Sequence, residues 1–297
     1  MLASLGLWAL AAALWLPTPT LAPAADAPDD LAALSDEFND AGSLSRWRQF
    51  HQAEGWPSMV QRLDVNQTAR GQLYLAPTTS GWYADFHGTY LYQEVTGDFL
   101  VTSRVHVTGK TTELPKAAWS LAGLMVREAR PAVTPASWQP GGENWLFLTA
   151  GVAEPVNQFV FESKSTVNSR SNLKLRPAKT GWVELGILRV RSAFVLLYRY
   201  EGQPWQVHER FHRRDLPRTL QVGLNAYTDW NSARPLHNDP QRFNTTVVTN
   251  GQPDLALYAD YVRFSRPAYR VAAPYSDGSE LTDYSLTNDE LLRQLKL

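Results

Sequence analysis

The sequence predicts an all-β protein, either a sandwich or a barrel, and three features carry that prediction. Short apolar stretches follow one another closely from residue 34 to residue 267, and Gly, Pro, Asn and Asp separate them. The stretch 100–107 alternates, with Val101 and Val105 on one face and Arg104 and His106 on the other, which is typical of a strand with one buried face. No helical stripe precedes residue 280, and many strands without intervening helices form a sandwich or a barrel.

Eight further segments have the same strand character. A hairpin turn at Glu201-Gly202 follows one of them, 193–200. Beyond residue 266 a polar extension, 267–297, leads to Thr287-Asn-Asp-Glu290, a pattern that caps a short helix over 290–297. The predicted strands are 71–75, 121–127, 144–149, 158–162, 182–190, 193–200, 219–226 and 257–264.

Composition limits the partners that the chain can recruit. The net charge is −1, so there is no basic field for nucleic acid or for an anionic membrane. There is no cysteine, which removes disulfides, thiol nucleophiles and Cys-ligated metal sites. The hydrophobic fraction of 44% is sufficient for a large core. A neutral ligand therefore suits this composition better than a polyphosphate.

The first residues predict export. Residues 2–16 are an apolar run followed by Pro17 and small residues, although no basic residue precedes the run. A signal-peptide core takes about 7–15 residues and a membrane-spanning helix about 20. We therefore expect a signal peptide over 1–25, an Ala/Pro/Asp-rich disordered linker over 26–33 and one domain over 34–266. The mature protein would be secreted or periplasmic, without a membrane partner; an uncleaved anchor is the alternative.

The ordered series of segments resembles a known superfamily. Residues 35–40 followed by 44–47 resemble the opening strand of concanavalin A-like lectin/glucanase domains. Segments 97–105, 122–127, 144–147, 182–189, 222–226 and 259–263 are similar to the uncharacterised family related to the C-terminal sandwich of family 43 β-xylosidases. The resemblance covers residues 34–266. It implies a two-sheet antiparallel jelly-roll sandwich whose curved sheet often receives saccharide, while fold alone implies no activity.

The same resemblance implies a structural Ca²⁺. Concanavalin A-like domains often hold this ion near the paired first and last strands, through carboxylate and backbone oxygens. Asp36 and Asp260 are the matching residues here. The alternative is that both are exposed acids at strand ends.

Catalytic signatures are weak. A retaining glycosidase needs two carboxylates about 5–5.5 Å apart, and the resemblance to family 16 would place them in Glu-x-Asp-x-x-Glu, which the sequence lacks. Two acids that converge from different strands stay open, as does a lyase with a His or Tyr base. Residues 208–212 match His-Glu-x-x-His, but they follow the 201–202 turn and so predict a strand, on which the two imidazoles would lie about 13 Å apart.

A saccharide presents apolar C–H faces and a rim of hydroxyl groups, so its site combines an exposed aromatic platform with planar polar groups. Segments 80–92 and 227–231 carry both kinds of side chain, and segment 162–164 adds polar groups directly after Phe159 and Phe161. Packing in the core is the competing interpretation for aromatic residues, and we expect it for Trp47, Phe99, Trp182 and Phe264, with Trp205 beside its hairpin. The candidate binding residues are Trp82, Asp85, His87, Tyr90, Tyr92, Arg127, Trp145, Glu162, Tyr227, Asp229 and Trp230.

The leading hypothesis is a secreted, non-catalytic protein that binds a poly- or oligosaccharide. A glycan-active hydrolase or lyase on the same scaffold is the second hypothesis. A structural or protein-interaction module without a sugar ligand is the third. The shape of the curved sheet discriminates among them: an aromatic groove favours binding, two facing acids favour hydrolysis, and a filled face favours interaction.

Overall fold

The computed structural model describes residues 29–269, 271, 273 and 275–297. Two seven-stranded antiparallel sheets pack face to face, as the sequence predicts. The predicted signal peptide, residues 1–25, lies outside the described residues. Within the described part of the chain, no helix has the length and apolar character needed to cross a bilayer.

We call the two layers the front sheet and the back sheet. In spatial order the front sheet consists of β1 (Arg48–Gln49), β4 (Thr89–Thr96), β13 (Thr219–Tyr227), β6 (Ser120–Arg127), β7 (Trp145–Val152), β8 (Phe159–Val167) and β9 (Arg170–Pro177). The back sheet consists of β12 (Gln206–His212), β11 (Ala193–Arg199), β10 (Val183–Val190), β5 (Phe99–Thr108), β14 (Ala256–Ser265), β3 (Leu73–Pro77) and β2 (Val60–Val65).

The main core lies between the sheets and follows the predicted alternation. On β5, Val101, Val105 and Val107 are buried in it, while Arg104 and His106 point outward. Trp47, Phe99 and Phe264 are buried as expected. Trp182 is an exception: it lies half-exposed beside His106 on the outward face of the back sheet, and its assignment to the core was wrong.

The segment 208–212 belongs to strand β12, so the sequence argument against a helical zinc motif is confirmed. Among the described residues there are four short α-helices besides the sheets and short 3-10 turns: α1 (Phe50–Glu54), α2 (Trp230–Ala233), α3 (Pro240–Thr245) and α4 (Asn288–Leu295). The predicted capping box is present on α4, where Thr287 and Glu290 exchange side-chain and backbone hydrogen bonds.

The predicted linker is ordered over its described part. Residues 29–33 pack onto the sandwich, because Leu31 is buried in the main core and Asp29 accepts a hydrogen bond from the backbone of Arg266 at 2.7 Å. The Arg266 guanidinium also pairs with Asp30. The expectation of disorder was wrong here because one leucine and two acids find partners that are distant in sequence.

Candidate functional site

A second aromatic cluster fills most of the outward face of the front sheet. Tyr90 and Tyr92 share that face, as their alternation predicts, and their rings stack with centroids 5.3 Å apart. They are nevertheless buried, since α1 and the loops that carry Trp56 and Trp138 pack in the same cluster. Trp145 is also fully buried. The expectation of an exposed platform at these positions is therefore corrected: tertiary contacts from distant loops cover them.

Arg127 lies at the centre of this covered face and is fully buried. Its Nε donates to Glu143 at 3.0 Å, and its Nη1 donates to Gln221 at 2.9 Å and to Glu54 on α1. Burial lowers the pKa of Arg127, but the two carboxylates outweigh this effect and raise it above its usual value. For Glu143 burial raises the pKa, and Arg127 and His87 lower it well below the usual range. This network holds the cover, which consists of α1 and the loops that carry Trp56 and Trp138, against the front sheet. Arg127 therefore lies beneath the cover and does not face a ligand.

A pocket of about 180 Å³ opens over strands β8 and β9 and the end of β13. Its rim is aromatic and partly exposed: Tyr83 is 44% exposed, and Trp119 and Trp230 are half-buried. The full lining is Gly81, Trp82, Tyr83, Trp119, Lys164, Leu173, Tyr227 and Trp230.

A charged group lies at the floor of this pocket. The ammonium group of Lys164 donates to the carbonyl oxygen of Trp82 at 2.7 Å and lies 2.9 Å from Oε1 of Glu162. The hydroxyl group of Tyr227 donates to Oε2 of the same carboxylate. All three side chains are buried. An ammonium group has three N–H donors. The contacts with Trp82 and Glu162 engage at most two of them, which leaves at least one for a ligand.

The environment of Lys164 sets its proton affinity. Burial lowers the pKa of its amine, and Glu162 offsets part of that effect. Aromatic faces add cation–π stabilisation, since Nζ lies 5.1 Å from the ring centroid of Phe147 and 5.4 Å from that of Tyr227. Burial and Glu162 both raise the pKa of Tyr227 well above its usual value, so the phenol stays neutral. The floor thus offers hydrogen-bond donors and carries no net charge.

The backbone at and beside the walls of the pocket has unusual conformations. Ala84, Trp119 and Asp229 adopt left-handed conformations with φ of 50°, 57° and 62°. Such residues cost about 1–3 kcal/mol each and cluster at functional sites. Asp229 is held in place because its carboxylate accepts hydrogen bonds from the Thr79 hydroxyl and from a backbone amide, each at 2.6 Å. Trp230 follows directly, so this strain positions its indole.

The structure brings five of the predicted residues together. Trp82, Tyr227 and Trp230 line the pocket, Glu162 lies beneath it, and Asp229 supports its wall. Asp85 instead closes a loop, because its carboxylate accepts hydrogen bonds from Gly141 and Ser169, and His87 is buried near Glu143. Four other predicted residues, Tyr90, Tyr92, Arg127 and Trp145, lie under the cover described above.

The candidate set omitted five residues that line the pocket: Gly81, Tyr83, Trp119, Lys164 and Leu173. Gly81, Tyr83 and Lys164 lie within the predicted segments 80–92 and 162–164, although they were not selected as binding residues. Trp119 lies two residues before the predicted strand 121–127 and directly precedes the observed strand β6, so an aromatic residue near a strand end was the available signal. Leu173 lies on β9, a mostly exposed edge strand in which Leu173 and Leu175 are the only aliphatic residues, and this alternation is too short to predict a strand.

The two calcium candidates have protein partners. The Asp36 carboxylate accepts hydrogen bonds from the indole of Trp47 at 2.9 Å and from the amide of Phe38, and Asp260 pairs with Arg104 at 3.1 Å. Over the described residues, no three His, Asp or Glu side chains cluster in a way that would hold a metal ion. These partners leave Asp36 little capacity for an ion, and calcium binding stays a prediction.

No protein-family model matches the sequence, and no curated protein matches it. Solved structures do superpose. The Bacteroides ovatus Xyloglucan PUL GH43B protein matches with a TM-score of 0.51 and 15% identity, covering 84% of this chain and 41% of that chain. The GH43 BlXynB protein from Bacillus licheniformis matches with a TM-score of 0.51 and 14% identity, covering 78% and 39%. These superpositions show that the chain shares a two-sheet β-sandwich fold with the matched parts of those proteins.

A functionally unknown protein from Saccharomyces cerevisiae also matches, with a TM-score of 0.49 and 15% identity over 75% of this chain and 98% of that one. The chain spans about two fifths of the length of the two GH43 proteins. The superpositions on the two GH43 proteins confirm the predicted resemblance for the fold. Sequence identities of this size show nothing beyond the fold.

Proposed function

We propose that the protein is a secreted, non-catalytic carbohydrate-binding sandwich that takes a sugar ring of a poly- or oligosaccharide into the pocket over Lys164. The observation that carries the proposal is the combination of flat aromatic walls, chiefly Trp119 and Trp230, with a buried hydrogen-bond donor at the floor. Pockets that are mostly apolar and contain a few fixed polar groups are the usual form of small-ligand sites.

Each part of the pocket matches a part of a sugar. The indole faces suit the C–H surface of a pyranose, and the remaining N–H of Lys164 suits a hydroxyl oxygen. Because Glu162 balances the charge of Lys164, nothing at the floor favours an anionic ring over a neutral one. The ligand class supported best is a neutral glycan.

The arrangement of acids favours binding over cleavage. Glycoside hydrolysis requires two carboxylates about 5–9.5 Å apart that flank the scissile bond. None of the residues that line the pocket is acidic, and Glu162 beneath it is engaged by both Lys164 and Tyr227. Glu54 and Glu143 are paired with Arg127 under the cover.

The test is a screen of the purified protein against soluble plant and bacterial polysaccharides, in which retention in affinity gels and product release are both measured. We expect retention by at least one neutral polysaccharide without new reducing ends or unsaturated products. Product release would favour the enzyme hypothesis, and neither retention nor release across the panel would favour an interaction module.

Trp230→Ala should weaken retention at least about tenfold, which corresponds to about 1.4 kcal/mol of lost contact. Trp182→Ala is the matched control, because Trp182 is also half-exposed but lies on the outward face of the back sheet. Equal weakening by both variants would contradict the placement of the site.

A further inference from the structure

We infer that the pocket is the terminal subsite of a longer site, and that the units following the bound ring lie in a neighbouring polar groove. The ligand is then a neutral oligosaccharide chain held by its end. This inference rests on the proposed function and specifies its ligand. The groove has a volume of about 910 Å³.

The pocket and the groove share the same three segments of chain. Gly81, Trp119 and Trp230 line the pocket, whereas Thr78, Ala118 and Asn231 line the groove. On two of these segments the residues are consecutive, and the amide of Trp230 donates to the carbonyl of Ala118 at 3.3 Å between them. The two depressions are therefore separated by a backbone ridge one residue wide.

The groove has the chemistry of a hydroxyl-binding surface. Its lining includes Lys110, Lys116, Asn231, Ser232 and Thr249. Two aspartates also line it, so the formal charges of the two lysines and the two aspartates cancel. Such a surface suits a neutral chain of hydroxylated rings, as the floor of the pocket does.

The loops that form the groove are tightly fixed. The carboxylate of Asp254 accepts hydrogen bonds from the backbone amides of Lys110 and Lys116, both at 2.7 Å. Gly251 passes so close to the opposite wall that a Cβ there would lie 1.9 Å from the Thr79 hydroxyl and 2.8 Å from Asp229. Asp229, the residue before Trp230, accepts a hydrogen bond from the backbone amide of Gln252 in the groove loop, so one side chain positions both parts of the site.

The pocket is closed behind its inner wall. Trp82 forms that wall and packs against Trp145, with ring centroids 5.9 Å apart, and Trp145 stacks on Phe147. This cluster fills the curved face that a passing chain would need. A polymer cannot thread through the pocket, so a chain reaches it by one end and continues into the groove.

The experiment titrates the full protein with cello-, xylo-, laminari- and manno-oligosaccharides of one to six units by calorimetry. In the series that binds, we expect affinity to rise at least about tenfold from one unit to three and then to level off. Asn231→Ala and Lys116→Ala should remove that gain and leave the affinity for the single unit unchanged. Trp230→Ala should weaken every member of the series, and Lys179→Ala, an exposed lysine outside both depressions, should change nothing.

Each negative outcome of this experiment contradicts a different part of the proposal. Equal affinity for one and for six units, unchanged by Asn231→Ala, would overturn the extended site and leave the pocket proposal intact. A cyclic oligosaccharide that binds as tightly as the linear one of the same linkage would overturn recognition of a chain end. Tighter binding of oligogalacturonides would overturn the neutral ligand class. No binding by any series would instead contradict the proposed function.

Discussion

Lys164 is the residue on which the site depends. A buried ammonium group is tolerated only when it is paired and hydrogen-bonded. Here Glu162, the Trp82 carbonyl and three aromatic faces meet that requirement. The side chain can therefore present a donor inside an apolar pocket, where a hydrogen bond to a ligand competes little with water.

Glu162→Gln should lower the free energy of unfolding by about 3 kcal/mol at pH 7, because breaking a buried pair leaves the other charge uncompensated. The pKa of Lys164, already lowered by burial, should then fall further. A base whose folded-state pKa lies below its unfolded-state pKa destabilises the protein while it is charged in both states. This cost disappears as pH rises through the folded-state pKa towards the unfolded value.

The deficit of Glu162→Gln relative to the wild type should thus shrink between pH 7 and pH 10, as measured by urea denaturation. Glu94→Gln is the matched control, since Glu94 forms an exposed ion pair with Arg48 and surface pairs contribute only about 0–1 kcal/mol. A deficit that stays constant with pH would contradict the assignment of the effect to Lys164.

At the scale of elements, β13 connects the main core to the pocket. It is the third strand of the front sheet, and it carries Tyr227 at its end and leads directly to Asp229 and Trp230. Gly223 lies in its middle, where a Cβ would be 2.0 Å from the carbonyl oxygen of Leu91 on the neighbouring strand. A side chain there would require the two strands to move apart.

Gly223→Ala should therefore destabilise the protein by about 1–3 kcal/mol, the usual cost of overpacking, and should weaken glycan binding as well. Thermal unfolding and calorimetry measure the two effects. Gly42→Ala is the control, because the nearest atom to its Cβ would be a flexible Asp40 carboxylate oxygen at 3.3 Å. An unchanged melting temperature in Gly223→Ala would contradict the packing described for β13.

Strand periodicity predicted most of the sheet elements, because alternation is a local property of the sequence. It also placed Tyr90 and Tyr92 on one face correctly. It did not reveal that α1 and the loops carrying Trp56 and Trp138 cover that face, since single-turn helices and loops have no period to detect. The exposure of a side chain was thus the property least accessible from sequence.

The difference between local sequence patterns and tertiary packing also explains which residues of the candidate site were predicted. Trp82, Glu162, Tyr227 and Trp230 were predicted because aromatic and polar residues recur in their segments. Trp119 has no such neighbourhood, and its place in the pocket follows from a left-handed backbone and from contacts with a segment more than 100 residues away. Tertiary arrangement, which no local pattern encodes, selected the functional residues among the candidates.

For the molecule as a whole, the curved sheet has a filled centre, which by itself favours an interaction module, and an aromatic pocket at its edge, which favours glycan binding. The aromatic cluster and the Arg127 network close the centre of the curved sheet, where glycan-active members of such a fold would need an open cleft. A pocket and the groove beside it stay accessible at the edge of this face. This geometry predicts a protein that binds the ends of glycan chains and does not bind their internal units.

The most direct measurement compares binding to one neutral polysaccharide, chosen by retention in the screen, before and after partial fragmentation by sonication. Total mass is held constant, so the number of chain ends rises while the number of internal units does not. Our account predicts that the protein bound at saturation, per gram of glycan, rises in proportion to the number of ends. Saturation that stays constant per gram would contradict it.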